Sequence, residues 1–244
     1  MKIEIYVQAR MGSTRLPGKV MMPVLNKPLL GHLIERLWRV KEADAFAILT
    51  TNKPEDDEIV SFCKKEGIPC YRGSENDVLD RYHSLAVSRR PDAIVRITGD
   101  CPLIDPDIVD LVIRTYRDDK GKYDYVSNTL ELTFPRGLDT EIFSYKALER
   151  AFRESKDPYE REHVTAFFYR HPELFKLKNV PSMELLSNFR WTVDTQEDYE
   201  LVRLIIEHLS PIKPDFRLLD ILQLFKQHPE WNLINAHIKQ KNQK

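Results

Sequence analysis

Glycine is scarce in this chain, with eight in 244 residues, so any clustering of glycines is informative. Cysteine is scarcer still: Cys63, Cys70 and Cys101 form no C-x-x-C pair. An odd number of cysteines fits a reduced compartment better than a disulfide framework, and the expected location is the cytoplasm. A surplus of either charge is also missing. With 37 basic and 38 acidic residues the formal net charge is −1, which argues against a nucleic-acid binder or a polybasic membrane anchor. No apolar run approaches the ~20 residues needed to span a bilayer. Residues 1–7 carry Glu4 and lack a small-residue cleavage site, so they read as a first strand rather than a signal peptide. Repeats, low-complexity tracts and linkers are absent, and one domain over residues 1–244 is expected. A hydrophobic content of 42% with 31% charged residues excludes global disorder.

What is present is an alternation of short apolar runs and amphipathic stretches. Strands are expected at residues 3–7, 45–51, 68–71 and 93–98. Between them, helices start at Pro28, with Leu29, Leu30, Leu33, Ile34, Leu37 and Trp38 on one face, and at Pro54, with Ile59, Val60 and Cys63 inward. A third helix carries Val78, Leu79, Tyr82, Leu85 and Ala86, and Asp105-Pro106 opens a fourth. Helical crossovers of this length imply parallel, right-handed pairing, hence an α/β doubly wound sheet. Beyond residue 120 the pattern becomes mixed. Strands are expected at 123–127, 140–143 and 190–193, helices at 145–152 and 160–169, and a Thr195-capped helix through Leu209 with Asp198 in a capping box. The tail from Pro214 reads as helical, with a disordered Lys/Gln/Asn ending.

Doubly wound sheets bind ligands beyond the carboxyl ends of their strands, where strand order reverses. The first strand runs into Gln8-Ala9-Arg10-Met11-Gly12-Ser13-Thr14-Arg15-Leu16-Pro17-Gly18-Lys19, which holds three cations, two hydroxyls and two glycines. Glycine lets backbone N–H groups approach an anion, arginine offers a fork and lysine a point charge, a set suited to polyphosphate. It is not a Walker A loop, because five residues separate Gly12 from Gly18 and Val20 replaces the required Ser or Thr. Composition alone leaves open an exposed basic loop around a glycine turn. The glycine distribution favours a site: Gly12, Gly18, Gly73, Gly99 and Gly137, five of the eight, fall in the loops of interest.

Two carboxylates complete the pattern. Asp100 follows the fourth strand in Thr98-Gly99-Asp100-Cys101-Pro102-Leu103, and Asp194 ends Arg190-Trp191-Thr192-Val193 just before the capped helix. Mg²⁺ favours one or two carboxylates completed by substrate phosphates and water. Taken singly, Asp194 also suits a helix cap and Asp100 a turn. Their joint placement favours a metal.

These segments, with Tyr71-Arg72-Gly73-Ser74, Tyr125-Val126-Ser127-Asn128, Pro135-Arg136-Gly137-Leu138-Asp139 and Glu160-Arg161-Glu162-His163-Val164, resemble the SpsF group of CMP-sugar synthetases. That group is related to the acylneuraminate and Kdo cytidylyltransferases, and the resemblance covers residues 3–210. It implies a nucleotide-diphospho-sugar transferase fold, of Rossmann-like type. It also implies CMP transfer from CTP to an acidic, nonulosonic-acid-like sugar, release of pyrophosphate, Mg²⁺ dependence and a homodimer. By the same resemblance, Arg10, Ser13, Arg15 and Lys19 hold the phosphates, Asp100 and Asp194 bind magnesium, and Arg72, Ser74 and Thr98 contact base or ribose. Gln8, Ala9, Gly12, Gly73 and Gly99 complete the nucleotide set. Residues 1–120 would then be the nucleotide-binding half, 121–210 the sugar-binding and dimerisation half, and 211–244 a helical tail. Asn128, Arg136, Asp139, Glu162 and His163 are the candidates for the acceptor side. Arg136 suits a substrate carboxylate or phosphate, and His163 suits the attacking hydroxyl. Gly-Asp-Cys-Pro stands here where the Kdo and sialate enzymes have Gly-Asp-Glu-Pro, and this bears on the sugar rather than on the transfer.

Two other functions fit the same fold class. A nucleotide-sugar-dependent glycosyltransferase would release a nucleotide and use a D-x-D motif, which Asp105-Pro106-Asp107 matches only as a helix start. A non-catalytic nucleotide-sugar-binding protein would tolerate loss of Asp100 and Asp194.

Overall fold

The computed structural model describes residues 1–119 and 121–239, so most of the expected Lys/Gln/Asn ending lies outside the described residues. In chain order, β1 (Ile3–Gln8) leads to a small hairpin of β2 (Pro23–Val24) and β3 (Lys27–Pro28), then α1 (Leu29–Leu37). Next come β4 (Ala45–Thr51), α2 (Asp57–Lys65), β5 (Cys70–Gly73), α3 (Val78–Arg89), β6 (Ala93–Thr98) and α4 (Pro106–Asp118). The second half holds β7 (Tyr125–Ser127), β8 (Glu141–Ser144), α5 (Tyr145–Glu154), α6 (Pro158–His163), α7 (Ala166–Arg170) and β9 (Leu177–Asn179). Two last helices follow, α8 (Gln196–Leu209) and α9 (Leu218–Gln227).

Seven strands form one sheet in the order β5-β4-β1-β6-β8-β7-β9. The four strands joined by helical crossovers pair in parallel, as their length and apolarity require. β8 runs antiparallel to both β6 and β7, and β9 is parallel to β7, so the sheet is mixed but mostly parallel. One face packs under α1, α2 and α4 through Leu30, Leu33, Ile59, Val109 and Val112. The other packs under α3, α5 and α7 through Tyr82, Leu85, Leu148 and Phe168. A third apolar cluster joins α8 and α9 to Trp191, Leu103 and Val24.

The strand order reverses at β1 and β6, whose carboxyl ends lie in register, Gln8 beside Thr98. Gly99 N donates to Gln8 O at 2.8 Å, and a Cβ at Gly99 would stand 2.9 Å from Ala9 Cβ. Glycine is therefore what lets the two loops leave the sheet side by side.

Four local expectations are corrected. Trp38 is 65% exposed rather than on the buried face, because α1 ends one residue earlier, and its ring lies edge-on against Phe46. The helix expected over 160–169 is two helices, broken where Val164 takes a positive φ of 50°. The strand at 68–71 lies two residues later, at Cys70–Gly73. The segment 190–193 is not a strand, because its backbone bonds are divided among different partners. Trp191 N donates to Arg136 O at 2.7 Å and Val193 N to Asp100 O at 2.8 Å, leaving a single bridge between Arg136 and Arg190. β9 was not anticipated, being three half-buried residues at the sheet's edge.

The 135–138 turn meets this segment at Gly137, whose φ is +102° and whose Cβ would fall 2.6 Å from the Trp191 carbonyl carbon. Both backbone strain and a clash against backbone oppose a side chain there. Gly137→Ala is expected to lose at least about 2 kcal/mol of stability in urea unfolding; an unchanged midpoint would contradict this close approach.

Candidate active site

The loop after β1 is shaped by its own backbone and by one buried carboxylate. Ser13 N and Gly18 N both donate to Met11 O, at 2.8 and 2.9 Å, and Met11 N donates to Asp56 Oδ1 at 2.6 Å. Gly18 adopts a left-handed conformation, φ +72°, and turns the chain into a short 3₁₀ segment that starts at Lys19. Lys19 is thereby buried and points across the crevice. Its Nζ donates to Asp100 Oδ2 at 2.7 Å and to Asp194 Oδ1 at 2.8 Å. Asp194 Oδ2 in turn accepts from Arg15 Nη2 at 2.8 Å and Arg190 Nη2 at 2.7 Å. The basic loop and the two distant aspartates thus meet.

Two cavities open from this cluster. The first, about 290 Å³, is lined by Gln8, Ala9, Arg10, Ser13, Arg15, Lys19, Thr98, Gly99 and Asp100, with Glu162 and His163 from α6. The second, about 480 Å³, is lined by Arg136, Asp139, Thr129, Tyr159, Tyr169 and Thr192, above Arg96 and Glu141. Arg15, Thr98, Asp100, His163 and Asp194 belong to both walls. A molecule in either cavity therefore meets a molecule in the other at Asp100 and Asp194.

Some candidates lie elsewhere. Gly12, Arg72, Gly73 and Ser74 line neither cavity. Arg72 donates to Thr51 O and Lys53 O, both at 2.8 Å, and pairs with Asp57, so its guanidinium ties β5 to the start of α2. Gly73 makes room for Arg81, whose Cγ would lie 2.4 Å from a Cβ there. Ser74 Oγ accepts from Asp77 N at 3.2 Å, ahead of α3. Asn128 is buried and braces the turn after β7, donating to Leu138 O and accepting from Thr140 N, each at 2.8 Å.

Other residues at the site were missed. Arg81 lines the first cavity, and its buried Nε has no hydrogen-bond partner among the described residues. Arg96 pairs with Glu141 and donates to Gln8 Oε1 at 3.1 Å. A signal existed for Arg96, since it shares a strand face with Thr98, and an arginine inside an apolar run needs a buried partner. Arg190 had none beyond its proximity to the capping box.

The electrostatics follow the geometry. Burial works to raise the Asp194 carboxyl, but Lys19, Arg190 and Arg15 overcome it and hold the group at about 2. Asp100 is likewise opposed by burial yet ends below its usual range, through Lys19. Burial pushes Asp139 up to about 6, more than Arg136 and the Gly137 backbone N–H offset. Burial lowers His163 and favours its neutral form. Two carboxylates converging on one cation form a donor set that a hard divalent ion also takes. Among the described residues no group of three His, Cys, Asp or Glu side chains could hold a metal, so such an ion would need substrate oxygens to complete its shell.

Both aspartates sit below the unfolded value of about 3.9, so their contribution is complete above about pH 4 and is lost as pH falls towards 2. Lys19→Met leaves two half-buried carboxylates facing each other without their shared cation and is expected to lose about 3–5 kcal/mol at pH 7. The loss should shrink at pH 3, where the carboxylates protonate, as measured by urea unfolding with EDTA present. An equal loss at both pH values would mean these ion pairs are not its source.

Residues 5–233 match the cytidylyltransferase family. The spore coat polysaccharide biosynthesis protein SpsF of Bacillus subtilis is 33% identical over 92% of this chain and 94% of its own length. A solved cytidylyltransferase from Leptospira borgpetersenii superposes with a TM-score of 0.91 at 37% identity, covering 99% of this chain and all of the other. A CMP:2-keto-3-deoxy-manno-octonic acid synthetase solved with CTP shares the fold, with a TM-score of 0.65 at 18% identity over 86% of this chain and all of its own. With the basic loop, the paired aspartates and these matches in agreement, the chain belongs to the cytidylyltransferase family.

Proposed function

We propose that this enzyme transfers CMP from CTP to an acidic sugar, releasing pyrophosphate, with Mg²⁺ held by Asp100 and Asp194. The observation that carries this reading is the Lys19 ammonium bonded to both carboxylates where the two cavities meet. The first cavity takes CTP, with Arg10, Ser13, Arg15 and Lys19 toward its phosphates. The second takes the sugar. Arg136, which lines this cavity, supplies a guanidinium fork for the sugar's carboxylate. Support for an acidic sugar also comes from the synthetase of similar fold, whose own substrate is a keto-deoxy sugar acid. By this division residues 1–120 chiefly form the nucleotide half and 121–210 the sugar half. Exposed Leu132, Met183 and Leu185 in the latter are the face on which a homodimer would close. Among the described residues no helix is long and apolar enough to cross a membrane.

The reaction is a direct displacement. A sugar oxygen forms a bond to the α-phosphorus, the bond from that phosphorus to the bridging oxygen breaks, and pyrophosphate leaves with the electron pair. His163 lies on both cavity walls and is biased toward its neutral form, so it accepts the hydroxyl proton as the bond forms. Arg10 and Arg15 stabilise charge growing on the phosphate oxygens. When bound, Mg²⁺ would neutralise phosphate charge and polarise the α-phosphate.

Pyrophosphate release, measured with each of the four nucleoside triphosphates against a panel of ulosonic acids and sugar phosphates, tests the reading. CTP with an acidic sugar should be the productive pair. Asp100→Ala and Asp194→Asn are expected to lose at least about 1,000-fold in kcat while remaining folded. Release of a nucleotide in place of pyrophosphate, or full turnover by either variant, would reject it.

A further inference from the structure

Asp194 is held in place by a relay that runs away from both cavities. Asp198, wholly buried at the start of α8, is its hub. Its carboxylate accepts from Arg190 Nε at 2.9 Å and Nη2 at 3.0 Å, and from the backbone N–H of Asp194 at 3.0 Å and of Thr195 at 3.2 Å. The Arg190 Nη2 then donates to Asp194 Oδ2 at 2.7 Å. One more donor reaches the hub from far along the chain. Asn235 Nδ2 donates to Asp198 Oδ1 at 2.8 Å and to Arg190 O at 2.9 Å.

Asn235 is only 4% exposed and lines neither of the two cavities. It follows a 3₁₀ turn, Pro229–Leu233, and is flanked by Trp231 and Ile234, which pack on the α8–α9 cluster. Trp231 also stacks on His228, ring centroids 4.6 Å apart. The apolar side chains anchor this C-terminal segment, while Asn235 carries a polar contact from it into the buried ion-pair group. Its amide donates to the Arg190 backbone and to Asp198, so it braces the two anchors from which the guanidinium reaches Asp194.

We infer that Asn235 is a positioning residue for Asp194, its amide reaching in from the C-terminal strap to set the aim of that carboxylate through Asp198 and Arg190. The inference rests on the proposed metal-assisted transfer. Without Asn235, the Arg190 carbonyl and one oxygen of the wholly buried Asp198 lose a donor. Asp198 and the Arg190 backbone, which together aim the guanidinium at Asp194, then lose a shared anchor. Groups that orient a ligand from behind it change metal affinity by about 10- to 100-fold.

The test combines Asn235→Leu, which keeps the volume and removes the amide, with Trp231→Leu, which loosens the same strap without touching the relay. Mn²⁺ binding in the presence of a non-hydrolysable CTP analogue is followed by water-proton relaxation, with kcat, the KM for CTP and Tm measured alongside. Asn235→Leu is expected to bind Mn²⁺ at least about tenfold more weakly, with a lower kcat and a KM for CTP within about twofold of wild type. Trp231→Leu should lower Tm and leave Mn²⁺ affinity unchanged. If Asn235→Leu does not fold, Asn235→Ser removes the same donors and is judged by the same result. Wild-type Mn²⁺ affinity in the asparagine variant overturns the inference, as do equal losses in the asparagine and tryptophan variants. No Mn²⁺ binding by the wild type would instead reject the metal reading on which it stands.

Discussion

Two carboxylates that face each other in a half-buried site can both stay ionised only with a cation between them. Here that cation is Lys19, and much of the chain's architecture serves the meeting. β1 and β6 must lie side by side so that the loops at their carboxyl ends share one crevice. Gly99 must lack a side chain for those loops to pass, and Gly18 must turn left-handed for Lys19 to point inward. Asp194 must be delivered from the far end of the fold, where α8 begins and Arg190 steadies it. Each of these requirements is local, yet the site exists only when all of them hold.

The parallel half of the fold was legible because its signals are regional. Apolar runs and helical periodicity over many residues fix β1, β4, β6 and α1 to within a residue or two, and tertiary context rarely overrides them. The loop cations and both aspartates were legible for a different reason: several short motifs occur in order along one chain. Details that depend on single backbone choices were not legible. Val164's positive φ, which splits the helix expected over 160–169, has no signature in a β-branched residue. The extended segment at 190–193 looked like a strand because its residues suit one, but its hydrogen bonds go to the Arg136 turn and to Asp100. Arg72 and Ser74 carried the right chemistry in the right region, yet Thr51, Lys53 and Asp57 claim the arginine first.

Arg96 and Glu141 show how the two halves are joined. They face each other across the β6–β8 pairing, with Tyr125 donating to Glu141 at 2.5 Å and Gln8 accepting from Arg96. A salt bridge at this depth offers little net stability over an apolar pair. What it does provide is a floor of fixed charge beneath the larger cavity, continuous with Gln8 at the smaller one. The two cavities therefore share one electrostatic surface.

Beyond β6 the sheet continues through β8, β7 and β9, which are only three or four residues long and enter with a change of direction, and the β7–β8 connection, from Thr129 to Asp139, helps to line the larger cavity. The strands themselves are held in the core by Tyr125, Val126, Ile142 and Phe143, which leaves their turns less constrained. Their connecting turns can accordingly exchange residues while the crossovers on the other side stay as they are. Such an arrangement lets related chains differ at one cavity while keeping the other, the parallel half of the sheet acting as a chassis.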